Sequence, residues 1–173
     1  MREVKIGRND GGQRLDRFME KKFPTMPKSL IQKYLRLKCV RVNGVKQTKG
    51  NTMLSEGDVL NFYISDEFFG GEESEKIKKD SFLSVKPSFT VAYEDENILL
   101  ADKRPGVSVH EDEHESENTL ITQIQAYLFQ KGEYDPADEQ SFAPALCNRI
   151  DRNTGGIVIA AKNAETLRVM NEK

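Results

Sequence analysis

The sequence lacks any long apolar run and contains only two cysteines. A membrane-spanning helix needs about 20 largely apolar residues, so we expect no membrane span. Residues 1–10 are charged throughout and have no apolar segment of the signal-peptide kind, which favours a cytoplasmic protein. Cys39 and Cys147 lie far apart and suggest neither a metal pattern nor a disulfide framework, so we expect buried free thiols in a reducing compartment.

Charge is distributed unevenly along the chain. Residues 1–65 carry 14 Lys/Arg and 6 Asp/Glu, whereas residues 66–173 carry 12 and 22, within a net charge of −2. This asymmetry predicts two units with different partners. A compact basic unit attracts polyanions, because each neutralised phosphate releases condensed counterions. Charge alone does not distinguish RNA from DNA or from an acidic membrane.

The basic part has the pattern of two helices followed by a β-hairpin. Residues 14–23 and 28–38 each place apolar side chains at helical spacing. The pair Asn43-Gly44 follows alternating residues and is the typical signal for a type I′ hairpin turn. A further strand is predicted near residues 59–64.

This order of elements over residues 10–65 resembles the alpha-L RNA-binding domain, first known from a small-subunit ribosomal protein. The resemblance is carried by the segments Gln13 to Asp16, Lys28-Ser29-Leu30, Val40-Arg41-Val42-Asn43-Gly44 and Gly57-Asp58-Val59. One departure is Lys38, which stands where a helix-ending glycine is common. A lysine there costs about 1 kcal/mol if the backbone requires a positive φ.

The resemblance implies that the second helix and the following loop lie against RNA backbone. The residues expected to contact RNA are Arg14, Arg17, Lys28, Ser29, Lys33, Arg36, Arg41 and Lys49. Such phosphate contacts position a protein on RNA, but they do not recognise the RNA sequence. The alternative is that these side chains only solvate an amphipathic helix.

Residues 66–88 are predicted to form a linker. Gly70-Gly71 is followed by mixed charge and few apolar residues, which is typical of a flexible connector. Aromatic residues at both ends of the segment could anchor it on either neighbour.

The acidic part, residues 89–173, carries the candidate chemistry. Residues 89–102 are expected to form a hairpin or two adjacent strands, residues 107–110 an extended path and residues 118–131 a helix. A loop around Asp151 then leads into an apolar strand at residues 157–161 and a helix that begins near Asn163.

Asp151 is the candidate reactive group. Its carboxylate is flanked by Arg149 and Arg152, and cationic neighbours favour the ionised form that a nucleophile or electrostatic stabiliser requires. Gly155-Gly156 lets the backbone approach a ligand closely. A salt-bridged structural turn explains this pattern equally well when it is taken by itself.

The same segment resembles the signature H-R-L-D-x-x-T-S-G of the pseudouridine synthases that act on ribosomal RNA, of the RluA/RluC type. It reads here Asn148-Arg149-Ile150-Asp151-Arg152-Asn153-Thr154-Gly155-Gly156, followed by Ile157 to Lys162. The earlier segments Tyr93-Glu94-Asp95, Ile98-Leu99-Leu100, Asp102-Lys103-Arg104-Pro105-Gly106 and Val109-His110 also match. Two departures are Asn148 for the usual histidine and Gly155 for the usual serine.

The resemblance implies an α+β protein, in which a small alpha-L domain precedes a partial catalytic domain with a mixed or antiparallel sheet. It makes Asp151 the catalytic carboxylate, with Arg149, Arg152 and Thr154 as substrate-binding residues that orient the carboxylate and fix its loop. The implied reaction isomerises uridine to pseudouridine in RNA without a cofactor or metal. The target base must first leave its stack.

The resemblance also implies a catalytic domain that continues past residue 173, with a tyrosine-bearing strand and a later basic residue in the uracil pocket. We therefore expect these 173 residues alone to be inactive. The alternatives are a non-catalytic RNA-binding protein with a degenerate catalytic remnant and an interaction adaptor. Residues 111–117, which hold five acids and His114, are expected to be a solvated loop rather than a metal site.

Overall fold

Two four-stranded antiparallel sheets organise this α+β chain in the computed structural model, which describes residues 1–70, 72–113 and 118–172. One unit comprises Met1–Glu75 with Ala137–Phe142, and the other comprises Lys76–Pro136 with Ala143–Lys173. Most of the acidic loop expected at residues 111–117 lies outside the described residues. Among the described helices, none is both long and apolar enough to cross a bilayer.

The first unit packs two helices on one face of a sheet with strand order β1-β4-β2-β3. Its elements are β1 (Arg2–Lys5), α1 (Leu15–Lys22), α2 (Lys28–Arg36), β2 (Val40–Val42), β3 (Val45–Lys46) and β4 (Val59–Phe62). The apolar positions of the predicted helical pattern, among them Phe18 and Leu35, are fully buried against inward-facing strand residues such as Phe62. Each such side chain contributes about 1.5–3 kcal/mol through burial.

Two backbone positions confirm the local sequence signals. Asn43 and Gly44 have φ of 51° and 81°, as a type I′ turn between β2 and β3 requires. Lys38 has φ of 59° after α2, and the N–H groups of Lys38 and Cys39 donate to the carbonyls of Leu35 and Tyr34. This is a Schellman motif with lysine at the position that favours glycine.

The linker expected at residues 66–88 is more ordered than its composition indicates. It contains a 3-10 turn at Asp66–Phe69 and the helix α3 at Glu72–Ser84. Phe69 packs edge-on against Phe23 in the first unit, with ring centroids 5.0 Å apart. Phe82 is buried in the second unit, 5.7 Å from the ring of Phe129. The helix at Glu72–Ser84 was not expected in a flexible connector, whereas the packing of Phe69 and Phe82 fits the expectation that aromatic residues anchor the segment.

A short segment from the second half of the sequence completes the first unit. Ser141 donates its hydroxyl to Asp10 Oδ1 at 2.6 Å, and Asp10 is buried. Lys22 donates to Gln140 Oε1 at 2.6 Å, and burial lowers the pKa of this lysine although Glu75 and Asp10 act in the opposite direction. Residues 137–142 thus satisfy polar groups that would otherwise be buried without partners.

The second unit contains a sheet with strand order β5-β6-β8-β7. Its elements are β5 (Thr90–Glu94), β6 (Ile98–Lys103), α4 (Leu120–Gln130), β7 (Ala145–Leu146), β8 (Gly156–Ala161) and α5 (Ala164–Asn171). Leu99 and Val158 on the sheet pack against Ile124 of α4, and all three are fully buried. The antiparallel register pairs Lys103 with Gly156, so the end of β6 meets the loop that carries Asp151.

The structure differs from the expectations in three further places. Residues 107–110 form no strand, and β1 and β7 were not predicted. β1 is mostly charged, and β7 has only two residues, so neither shows a periodic pattern. Cys39 and Cys147 are free, as expected, but only half-buried.

Candidate functional site

The loop between β7 and β8 presents Asp151 to solvent. The side chain of Asp151 is exposed, and its backbone carbonyl accepts a hydrogen bond of 3.0 Å from the N–H of Thr154. That bond closes a tight turn directly before Gly156 begins β8. The carboxylate is therefore available to a ligand rather than turned into the interior.

A buried lysine holds this loop through hydrogen bonds to backbone carbonyls. Lys103, the last residue of β6, is 1% exposed. Its ammonium donates to three carbonyl oxygens, those of Arg104 at 3.1 Å, Val107 at 2.9 Å and Arg152 at 2.9 Å. An ammonium has three donors, so this set satisfies it fully. The lysine thereby joins the turn after β6 to the loop of Asp151.

The two segments are joined by backbone bonds as well. The N–H of Gly106 donates to the carbonyl of Arg152 at 2.8 Å, and Arg152 Nε donates back to the Gly106 carbonyl at 3.3 Å. Arg152, which follows Asp151, thus both accepts a hydrogen bond from Gly106 and donates one to it. Such bonds hold a reactive group within the narrow range of geometry that catalysis needs.

The charge environment of Asp151 differs from the expectation. Among the described residues, neither Arg149 nor Arg152 forms an ion pair with Asp151. Burial lowers the pKa of Lys103, whereas the charge of Asp151 acts to raise it. The charges of Asp151 and Lys103 therefore interact, although the two side chains form no ion pair among the described residues. Sequence reasoning missed this role, although a lysine at the inward register of a buried strand is an unusual residue that could have indicated it.

Arg149 and Thr154 lie on the same exposed loop as Asp151. Arg149 is exposed, and its charge adds to burial in lowering the pKa of His110. Thr154 holds the turn through its backbone N–H. Asp151, Arg149, Arg152 and Thr154 are thus close neighbours on one loop. The position of the carboxylate depends mainly on hydrogen bonds to the backbone of that loop.

The two departures from the family pattern each have a structural role. A Cβ at Gly155 would lie 3.2 Å from Pro105 Cδ and 3.3 Å from the Lys103 carbonyl oxygen, so a larger residue would require the loop and the β6 turn to move slightly apart. Asn148 Oδ1 accepts from the N–H of Ile159 at 2.7 Å, and its amide donates to the Ile157 carbonyl at 3.3 Å. The Asn148 side chain therefore extends the hydrogen-bonded ladder between β7 and β8.

A second charged cluster lies at the opposite end of β6 and β8. Glu94 accepts hydrogen bonds from Lys131 at 2.9 Å, Lys162 at 3.0 Å and Tyr127 at 2.8 Å. Burial acts to raise the pKa of Glu94, but these three bonds outweigh it and lower the pKa to about 2. The negative charge of Glu94 is neutralised by lysines within the cluster, which indicates a structural role.

The eight expected RNA contacts of the first unit differ in their surroundings. Three of them pair with acids: Arg14 with Asp16 at 2.6 Å, and Arg17 and Lys28 with Glu20 at 3.3 and 3.4 Å. Four others are exposed, namely Ser29, Lys33, Arg36 and Lys49. Arg41 is half-buried and stacks on Tyr63. Over the described ranges, no group of three or more His, Cys, Asp or Glu side chains could hold a metal ion.

Comparison with known proteins relates the chain to one family. Residues 97–173 match the family described as RNA pseudouridylate synthase. A Mycoplasma capricolum protein named uncharacterized RNA pseudouridine synthase is 32% identical, over 91% of this chain and 49% of its own length. Proteins named ribosomal large subunit pseudouridine synthase C are 30% identical in Buchnera aphidicola, over 98% of this chain and 50% of their own, and 29% identical in Salmonella typhi, over 98% and 49%.

The chain spans about half the length of the curated relatives it matches. A crystal structure of a pseudouridylate synthase aligns with 90% of this chain and 51% of its own, at 16% identity and a TM-score of 0.27. That structural agreement is too low to support any argument about the fold.

Proposed function

Over residues 97–173 this chain belongs to the RNA pseudouridylate synthase family, and we propose that the protein isomerises uridine to pseudouridine in RNA, with Asp151 as the catalytic carboxylate. The substrate class we propose is ribosomal RNA, because the Buchnera and Salmonella relatives are named for pseudouridine synthesis in the ribosomal large subunit. With that substrate the protein acts in the cytoplasm.

The observation that carries the proposal is the exposed carboxylate on a firmly held loop. Asp151 is open to solvent, while the next residue is bonded to Lys103 and Gly106. A catalytic group gains rate when it is held in position before the substrate arrives, because little reorganisation remains at the moment of reaction.

The chemistry matches a carboxylate acting alone. Isomerisation breaks the bond between N1 of uracil and C1′ of ribose and forms a bond from C5 to C1′, while the hydrogen on C5 is lost and N1 gains a proton. No electrons are gained or lost overall, so the proposed reaction needs no redox cofactor. Asp151 acts as a nucleophile on the base or the sugar, or it abstracts a sugar proton.

Arg149, Arg152 and Thr154 are proposed to bind the substrate around this carboxylate. Arg149 is exposed and free of acidic partners among the described residues, so its guanidinium is available to a phosphate or to a base edge. The target uridine must leave its stack, which costs a few kcal/mol, and contacts of this kind offset that cost.

The first unit is proposed to be an alpha-L RNA-binding domain, which we place at residues 1–65, followed by the 66–88 connection and the catalytic part from residue 89. The exposed Ser29, Lys33, Arg36 and Lys49 supply phosphate contacts, whereas Arg14, Arg17 and Lys28 must exchange an acidic partner for RNA. Because ion pairs at the surface contribute only about 0–1 kcal/mol, exchanging the acid for RNA costs little free energy.

The test is release of tritium from RNA whose uridines carry tritium at C5, since isomerisation removes that hydrogen. In a version that carries the complete catalytic domain, the native sequence should release tritium from ribosomal RNA, and Asp151→Asn should release none while it binds the RNA with unchanged affinity. Asn153→Asp, which adds a carboxylate beside an intact Asp151, is the matched loop control and should stay active. Equal tritium release by Asp151→Asn and the native protein would show that Asp151 takes no part in the reaction.

A further inference from the structure

A row of side chains crosses all four strands of the first sheet on one face. The register pairs Glu3 with Asn61, Asn61 with Arg41, and Arg41 with Lys46. Residues that lie directly opposite each other in an antiparallel sheet share a face. The neighbouring positions Val40 and Phe62 are buried on the other face, beneath α1 and α2. The row therefore belongs to the outer face of the sheet.

Tyr63 lies on the same outer face, two residues beyond Asn61. Its backbone N–H donates to the Cys39 carbonyl at 2.8 Å, which fixes the position of the residue just after β4. The guanidinium carbon of Arg41 lies 5.0 Å from the centre of the Tyr63 ring. The tyrosine remains 42% exposed, so the arginine covers only part of it. An aromatic ring and a planar cation are thus held together in contact with solvent.

The bonding of Arg41 is unusual for a residue that serves the fold alone. Its Nε is buried and has no hydrogen-bond partner among the described residues, and no described carboxylate pairs with its guanidinium. A buried donor without an acceptor is destabilising. What Arg41 gains in return is a fixed orientation against Tyr63, which leaves its terminal nitrogens for an external acceptor.

The charges around this pair favour an anion. Lys46 is exposed directly opposite Arg41 on the edge strand β3. The acid in the row, Glu3, accepts a hydrogen bond of 3.3 Å from Asn61, on the far side of that residue from Arg41. The face therefore presents two cations beside an exposed ring, and its one acid lies two strands away from Arg41.

We propose that Tyr63 and Arg41 form a stacking site for one unpaired base of RNA, and that Lys46 contacts the adjoining phosphate. An exposed ring takes any base, because every base has a π-face, and a guanidinium plane stacks in the same way. A base paired within a duplex cannot reach this ring. The inference rests on the proposed function, and it adds a contact on the sheet to the contacts expected from α2.

Tryptophan fluorescence tests the stacking directly. The chain contains no tryptophan, so Tyr63→Trp introduces a single indole at the site. Titration with an unstructured oligouridylate should quench its emission in a saturable manner. Tyr93→Trp, at a tyrosine that is 51% exposed on β5 of the other unit, is the matched control and should show no saturable quenching.

Affinity measurements separate stacking from charge. Tyr63→Ala should weaken binding of the native protein to single-stranded RNA about 5- to 150-fold, the equivalent of about 1–3 kcal/mol per stacked base, and leave binding to duplex RNA unchanged. Tyr63→Phe should bind like the native protein. Lys46→Ala should lower affinity for both RNAs and reduce the salt dependence by about one phosphate contact, whereas Tyr63→Ala should keep that dependence.

The outcomes also distinguish this inference from the function on which it rests. If Tyr63→Ala binds single-stranded RNA as the native protein does, the stacking site is refuted, while RNA binding and isomerisation stand. The same conclusion follows if emission from Tyr63→Trp is unchanged at saturating RNA. If the native protein binds no RNA in any form, the proposed function fails together with the stacking site.

Discussion

The ammonium of Lys103 lies 2.9 Å from the carbonyl oxygen of Arg152, the residue that follows Asp151. This bond crosses from the end of one strand to the loop before another, 49 residues later in the chain. The candidate catalytic loop therefore depends on a charge buried beneath it.

Replacing this lysine should affect both stability and activity. Lys103→Met keeps the apolar stem but leaves the carbonyls of Arg104, Val107 and Arg152 without their donor. We expect a loss of about 1–3 kcal/mol in the free energy of unfolding, measured by urea denaturation. We also expect tritium release to fall under conditions where the variant is fully folded, because the loop loses its anchor. Lys162→Met, which removes a lysine from the distant Glu94 cluster, should be destabilised yet keep its turnover once folded.

Gly155→Ser should destabilise the protein while Pro105 is present. The added Cβ would lie 3.2 Å from Pro105 Cδ, and overpacking of this kind costs about 1–3 kcal/mol. Because two of the three nearest atoms belong to the Pro105 ring and the third is the Lys103 carbonyl oxygen, the double variant Gly155→Ser with Pro105→Ala should recover part of the lost stability. A double-mutant cycle by thermal or urea unfolding measures this coupling. Strictly additive effects of the two substitutions would contradict the steric explanation.

The Glu94 cluster should make the stability of the second unit depend on acid pH. The folded-state pKa of about 2 lies below the ordinary value of 4.5, so the stabilisation is fully present above pH 4.5 and is lost as the pH falls toward 2. Its size at neutral pH is about 3 kcal/mol. The difference in unfolding free energy between the native protein and Glu94→Gln should therefore shrink by about 2 kcal/mol between pH 6 and pH 3, with the remainder lost as the pH falls below 2. Glu96→Gln, in the exposed turn beside it, should show no such change.

Replacing Lys38 with glycine should stabilise the folded protein. Its φ of 59° lies in the left-handed region, where a side chain adds steric strain and glycine adds little. Lys38→Gly should raise the free energy of unfolding by about 0.5–1 kcal/mol. Lys33→Gly, inside α2, should lower it by about 1 kcal/mol and controls for the general effect of glycine. A destabilised Lys38→Gly would show that the lysine stem makes a packing contribution larger than the strain.

The sequence predicted the parts of the fold that depend on local pattern. The helices around Leu15 and Leu35, the Asn43-Gly44 turn and the strand after Asp151 follow from periodicity and turn chemistry, and they are present. The helix α3 was missed because its apolar residues are sparse, and their packing against other elements cannot be seen in a local window.

The candidate site was predicted in its position but not in its support. Asp151 was identified from its surrounding motif, and the structure leaves it exposed. The adjacent arginines drew attention because they are neighbours in sequence. The cation that acts on the loop is Lys103, which comes close only through the antiparallel pairing of β6 with β8. Contacts that depend on strand register cannot be obtained from a motif alone.

The inclusion of residues 137–142 in the first unit changes how the two units are connected. The backbone passes between them three times, after Glu75, after Pro136 and after Phe142. A protease that cuts α3 would therefore leave two fragments that are still joined through the later crossings. Residues 1–75 produced alone would also leave Asp10 and Lys22 without their partners at Ser141 and Gln140. Each unit is therefore built from two separate stretches of sequence, and a cut at any single point of the chain would not separate them.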